Sequence, residues 1–169
     1  LPECLSQMPG DPPVYPIGCA GSIAEHQLLP DGRFQLVLIG TQRFRIHREL
    51  ERGAAQLYRV AEVEFLEDRL ASSDRPQLQQ LRSQVIALAH RVVSQIAPAR
   101  AIAFDAGQLT AVDDAVLASA LCNALPFPAA EKQGLLECPG ILERFQQLEA
   151  LLRFQLAEQI LPADESIRR

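Results

Sequence analysis

Long apolar runs are missing from this sequence of 169 residues. Its apolar stretches fall far short of the ~20 residues needed to cross a bilayer. No basic start leads into an apolar stretch, so no secretory leader is visible. Positive charge is not in excess either: 16 Lys and Arg stand against 21 Asp and Glu, a formal net charge of -5. Nucleic-acid surfaces usually show a basic patch or stripe. The one candidate cluster, Arg43, Arg45, His47 and Arg48, runs directly into Glu49 and Glu51. That balance disfavours a nucleic-acid partner. Cysteine is sparse, and Cys4, Cys19, Cys122 and Cys138 form no C-x-x-C pair and match no common zinc spacing. They read as reduced, incidental thiols, although Cys4 and Cys19 could meet across a hairpin.

Motifs that carry chemistry are missing as well. There is no G-x-x-x-x-G-K-[ST] loop to cradle phosphates, no G-x-G-x-x-G opening a helix, and no G-x-S-x-G elbow presenting a serine. His26, His47 and His90 are scattered along the chain, whereas metal or triad chemistry needs partners that converge. The acid pair Asp113-Asp114 is better explained by a helix start, where a carboxylate opposes the positive dipole end. Glu62 and Glu64 fit the wet face of a strand. The expectation is a chain with no catalytic, metal-binding or cofactor-binding residue.

What is present is an ordinary core-forming composition, 48% apolar and 22% charged. The chain divides near Asp68 into a β-rich part, 1–68, and a helical part, 69–169. Residues 1–16 are proline-rich and read as a loose lead-in. Ile17 to Leu29 reads as a strand, with Gly18 and Gly21 marking bulges or bends. Pro30-Asp31-Gly32-Arg33 is a turn: proline fixes φ, and Asp-Gly tolerates positive φ. Phe34 to Ile39 is the next strand, expected to break at Gly40 and resume over Arg43 to Leu50. There Phe44 and Ile46 alternate with Arg43, Arg45 and His47, one face buried and one wet. Tyr58 to Leu66 is a further strand.

In the helical part, Ser72, Ser73 and Asp74 offer N-caps, and Leu78, Leu81, Val85, Leu88, Val92 and Ile96 make an apolar stripe that Pro98 ends. Asp113 caps a shorter helix. Ala129 to Glu137 is another, and a last helix opened by Pro139 buries Ile141, Phe145, Leu148, Leu152 and Leu156 until Pro162. A strand arginine following a glycine, Arg43 can close a barrel seam or grip a partner. The structural role is preferred, with Arg43 and Arg45 kept as candidate partner-binding residues.

Three segments then form a pattern: "YPIGCAGSI", "LPDGRFQLVLIGTQRFRI" and "YRVAEVEFLED". Followed by "ALPFPAAEKQGLLECPGILERFQQLEALL", they resemble the N-terminal domain of the Lon protease family over about residues 15–160. The matching positions are Ile17, Gly18, Asp31, Gly32, Gly40, Ile46, Leu135, Leu136, Glu137 and Arg144, and their expected role is structural. The resemblance implies an α+β fold, a PUA-like β pseudo-barrel followed by an α-helical bundle. It also implies a non-catalytic, cytoplasmic module that recognises unfolded or partner polypeptides, expected to carry an exposed apolar groove or patch between barrel and bundle. Alternatives are the substrate-recognition part of a full-length ATP-dependent serine protease of the S16 peptidase class, and a PUA-like RNA-binding module. The sequence departs from the family in two ways. It lacks the family's opening strand and Phe-Glu-x-Arg-Tyr helix, so a fragment, or a gap filled by another chain, is expected. It stops its last helix at Pro162, which favours a stand-alone bacterial Lon-domain protein.

Overall fold

A computed structural model describes residues 12–51, 53, 56–96, 109 and 111–160. Its elements run β1 (Ile17–Leu28), β2 (Phe34–Glu49), β3 (Ala61–Phe65), a 3-10 turn (Ser72–Asp74), α1 (Arg75–Ile96), α2 (Asp114–Ala124), α3 (Ala129–Glu137) and α4 (Ile141–Ile160). The chain divides into two compact units, Leu1–Glu67 and Asp68–Arg169. The whole is α+β. No described helix is long and apolar enough to cross a membrane.

In the first unit the strands form an antiparallel sheet in the order β1-β2-β3. The β1-β2 connection is built by its residue types. Gly32 N–H donates to Leu29 O at 3.0 Å, and Leu29 N–H to Arg33 O at 2.7 Å, enclosing Pro30, Asp31 and Gly32. Gly32 takes φ +84°, a region that costs any residue with a Cβ about 1 kcal/mol or more. Asp31 accepts from the Arg33 main-chain N–H at 3.1 Å and from its guanidinium at 2.8 Å. Those bonds hold the Asp31 carboxyl below its usual pKa.

Two register shifts interrupt the β1-β2 ladder, between Ala20 and Gly21 and between Ile23 and Glu25. At the first, β2 carries the extra residue, Thr41, whose hydroxyl donates to Ala20 O at 3.1 Å. The strand therefore does not break at Gly40 as the sequence led one to expect. A bulge absorbs the irregularity and β2 runs on to Glu49. At Gly21 the two strands come so close that a Cβ would stand 2.7 Å from Ile39 O. The third strand is shorter than the expected Tyr58 to Leu66 and pairs Phe44 with Phe65, Arg45 with Glu64 and Ile46 with Val63.

Among the described residues the second unit holds a core of 18 buried side chains, including Leu78, Val85, Leu117, Leu135, Phe145 and Leu152. The strongest helix contact is α1 on α4. Every buried leucine of this kind contributes roughly 1.5–3 kcal/mol by leaving water. Asp113 caps α2, its carboxylate accepting from Ala115 N–H at 2.9 Å and Val116 N–H at 3.3 Å. Ser72–Asp74 form a 3-10 turn directly before α1, and Ala71 holds the cap position of that turn with no side-chain cap bond. Pro139 lies outside α4, whose first helical bond runs from Arg144 N–H to Gly140 O at 3.2 Å. Ile141, Phe145, Leu148, Leu152 and Leu156 are all buried, as is the α1 stripe from Leu78 to Val92, whereas Ile96 is exposed. Pro98 and Pro162 lie outside the described residues.

Candidate interaction surface

Among the described residues of the first unit, only Ile17 and Arg43 are buried. The alternation of strand side chains, corrected for the bulge at Ala24, decides what the hairpin presents. Leu28 faces Phe34, His26 faces Leu36 and Ile23 faces Leu38 across the ladder. These pairs share one face. Without the extra residue at Ala24, Ile23 would turn to the opposite face with Glu25 and Gln27. The bulge thus completes an apolar face of Ile23, Leu28, Phe34, Leu36 and Leu38, exposed from 47% for Leu36 to 66% for Leu38. Val37 and Ile39 are exposed on the other side. Isolated exposed apolar side chains are ordinary, but a contiguous set marks an interaction surface.

The basic cluster behaves differently from its sequence pattern. Arg43 is 6% exposed, while Phe44 and Ile46 are half-buried and Arg45 and His47 are exposed. Arg43 sits on the central strand, between Cys19 of β1 and the end of β3, and its main-chain oxygen accepts from Leu66 N–H at 2.9 Å. Period-two alternation put it on the wet face; the structure buries it instead. The neighbouring basic residues meet acids across the β2-β3 ladder: Arg45 stands opposite Glu64, His47 is 3.8 Å from Glu64, and Arg48 bonds Glu62 at 2.8 Å. Glu49 holds Arg59, which also donates to Pro12 O at 2.6 Å. The cluster is a neutralised ladder, not the basic stripe a phosphate backbone requires.

The remaining family positions lie in both units. Gly18 packs against the Phe44 ring, Ile46 is half-buried, and Asp31 and Gly32 make the hairpin turn. In the second unit Leu135 is buried, Leu136 is half-buried, and Glu137 is exposed and accepts from Gln133 at 2.8 Å. Arg144, 4% exposed at its side chain, donates to Asp68 at 2.7 Å. Arg82 joins Asp114 and donates to Val112 O at 2.6 Å. Burial pushes the Cys122 thiol up to about 11, against the opposing pull of Arg144, so it stays a neutral thiol at physiological pH. Cys4 lies outside the described residues, and Cys19 is a free, exposed thiol.

A shallow cleft of about 260 Å³ between α1 and α4 is lined by Gln77, Gln80, Leu81, Gln84, Gln146 and Glu149. Its lining is mainly amide, and Glu149 is held by Arg153 at 2.7 Å. Among the described residues no three of His, Cys, Asp and Glu gather where a metal could sit.

Comparison with known proteins decides the family. The model of the ATP-dependent protease La (LON) substrate-binding domain matches residues 5–153. The chain belongs to the Lon substrate-binding domain family. It is 26% identical over 173 aligned positions to the Lon protease of Escherichia coli strain K12, covering 98% of this chain and 20% of that protein. The Lon protease of Shigella dysenteriae serotype 1 matches to the same extent. The chain therefore spans about one fifth of the length of these relatives. In fold it is similar to the N-terminal domain of the Mycobacterium avium complex Lon protease, with TM-score 0.63, 18% identity, and 87% of this chain and 74% of that one covered. The Lon N-terminal domain protein from Xanthomonas campestris superposes with TM-score 0.51 and 23% identity, over 80% of this chain and 68% of that one. Within this Lon family frame, the hairpin face is a surface that periodicity in the sequence alone did not reveal. Its signal was the unbroken run Leu36 to Ile39, which could equally have been a strand buried on both sides.

Proposed function

We propose that this chain is a non-catalytic module that binds unfolded or partner polypeptides. The observation that carries the reading is the apolar hairpin face of Ile23, Leu28, Phe34, Leu36 and Leu38 in a member of a substrate-binding family. The substrate of a protease is a polypeptide, and an unfolded polypeptide differs from a folded one mainly in exposing apolar side chains. On the same reading the sheet belongs to a PUA-like pseudo-barrel and the chain works in the cytoplasm. Its activity would be recognition alone, or recognition on behalf of an ATP-dependent serine protease like the Lon relatives. The complete reading frame decides between those two. A phosphate loop and a Ser-Lys dyad in the same frame would make it the substrate-recognition part of a protease. The RNA-binding alternative gains nothing from a basic cluster whose exposed side chains face acids.

The test is a fluorescence titration against reduced, carboxymethylated α-lactalbumin, a permanently unfolded chain. Saturable binding with a Kd in the micromolar range, roughly -8 kcal/mol, is expected. No binding up to about millimolar concentration, where affinity falls to about -4 kcal/mol, overturns the reading. Native α-lactalbumin is the control and should not compete.

A further inference from the structure

The hairpin that carries the apolar face also offers an open backbone edge. Over Phe34 to Gln42, β2 has β1 on one side and, among the described residues, no strand on the other, because β3 pairs only with Phe44 to Glu49. A two-stranded ribbon is marginal in water and gains most from a third strand. Natural sheets blunt such edges with charge, proline or bulges. The edge of β1 is blunted: it carries the extra residue Ala24 beside Glu25. The run Phe34 to Gly40 is not. It has no charged side chain, no proline and no bulge before Thr41.

We propose that the open edge of β2, Phe34 to Gly40, takes an extended apolar polypeptide segment as an added strand. Resting on the polypeptide-binding function proposed above, the inference fixes both the mode and the place of recognition. Three features favour this occupant. The open edge continues the line along which β3 pairs, so an incoming strand extends a ladder that already exists, whose last bond is Leu66 N–H to Arg43 O. Main-chain bonds read no sequence, which suits a binder of many unfolded chains. Leu36 and Leu38 on one face, and Val37 and Ile39 on the other, lie where apolar side chains of an added strand would pack, and no charge there selects for a charged partner.

The test uses the full chain and a fluorescein-labelled peptide of about seven residues, alternating valine and threonine between lysine ends, about the length of an ordinary strand. A second peptide has the same side chains but an ester in place of each internal amide, so it lacks the N–H donors. Strand addition predicts that the ester peptide binds at least about tenfold more weakly, a loss of about 1.4 kcal/mol. The exposed-residue variant Leu36→Lys/Leu38→Lys should weaken the amide peptide by a similar factor, while Glu25→Lys on β1 stays within about twofold. The ester comparison uses the unaltered protein, so a folding defect in a variant does not obscure the result. If α-lactalbumin binds but the ester peptide and the double variant match the reference, strand addition is wrong and the general function stands. If nothing unfolded binds, both fall. If sedimentation of the peptide-free chain shows a dimer that the double variant abolishes, a second copy occupies the edge and the proposal is overturned.

Discussion

A single buried charge shows how this chain spends its polar residues. Arg144 projects from α4 into the second unit and meets Asp68, the first residue of that unit, at 2.7 Å. A guanidinium so nearly buried is costly unless it is paired. Removing one member of such a pair leaves the other in a poor environment, an effect of about 3 kcal/mol or more. Arg144→Met should therefore lower the urea midpoint by an amount equivalent to about 3 kcal/mol, and Arg144→Lys should recover only part of it because a point charge cannot reproduce the planar fork. Equal stability of Arg144→Met and the parent in equilibrium urea unfolding would show that the pair is dispensable. Arg43 follows the same logic in the first unit, where its burial makes it a poor handle for a partner and leaves Arg45 as the exposed cation of the two.

Elements in this chain start and stop for local chemical reasons. The cap at Asp113 satisfies two of the amide donors that every helix leaves open, and it places a carboxylate at the positive end of α2. Asp113→Ala should cost about 1 kcal/mol, read as a lower thermal midpoint in circular dichroism, and Asp113→Asn should retain most of the stability because its side-chain oxygen still accepts. The hairpin is governed by different chemistry. Its turn depends on Gly32, its close strand approach on Gly21, and its apolar face on one extra residue at Ala24. Those are backbone effects, and they determine which side chains become available for binding.

On the scale of the molecule, the apolar side chains are unevenly used. Among the described residues, all 18 of the buried hydrophobic cluster belong to the second unit, whereas the first unit buries Ile17 and leaves most of its large apolar side chains exposed. Stability follows burial, so residues 68–169 expressed alone should give a helical circular dichroism spectrum and a cooperative thermal transition. Residues 1–67 alone should show neither a cooperative transition nor dispersed amide resonances, because a sheet without a buried face lacks the driving force to order its chain. A non-cooperative helical fragment would contradict the uneven division of the core. The binding role proposed for the hairpin gives the same imbalance a use: apolar surface that is not spent on a core is available to another chain.

The sequence by itself determined what depends on neighbours a few residues apart. Helix faces were legible because 3.6-residue periodicity repeats over several turns, as in Leu78 to Val92 and Ile141 to Leu156. The Asp113 cap and the Pro-Asp-Gly turn were legible because their bonds reach only two or three residues. Taken together in order, the motifs from Ile17 to Arg144 also pointed to the Lon family. Only the tertiary structure decided matters that depend on pairing. Nothing in the chain says that Thr41 and Ala24 are extra residues, since a bulge exists only relative to the strand opposite. That register is why β2 continues past Gly40 and why Ile23 joins Phe34, Leu36 and Leu38 on one face. Arg43, alternating like a solvent-facing residue, is likewise buried while Arg45 on the same strand is exposed, a difference that periodicity within one strand cannot show because burial depends on what packs over the strand from elsewhere in the chain.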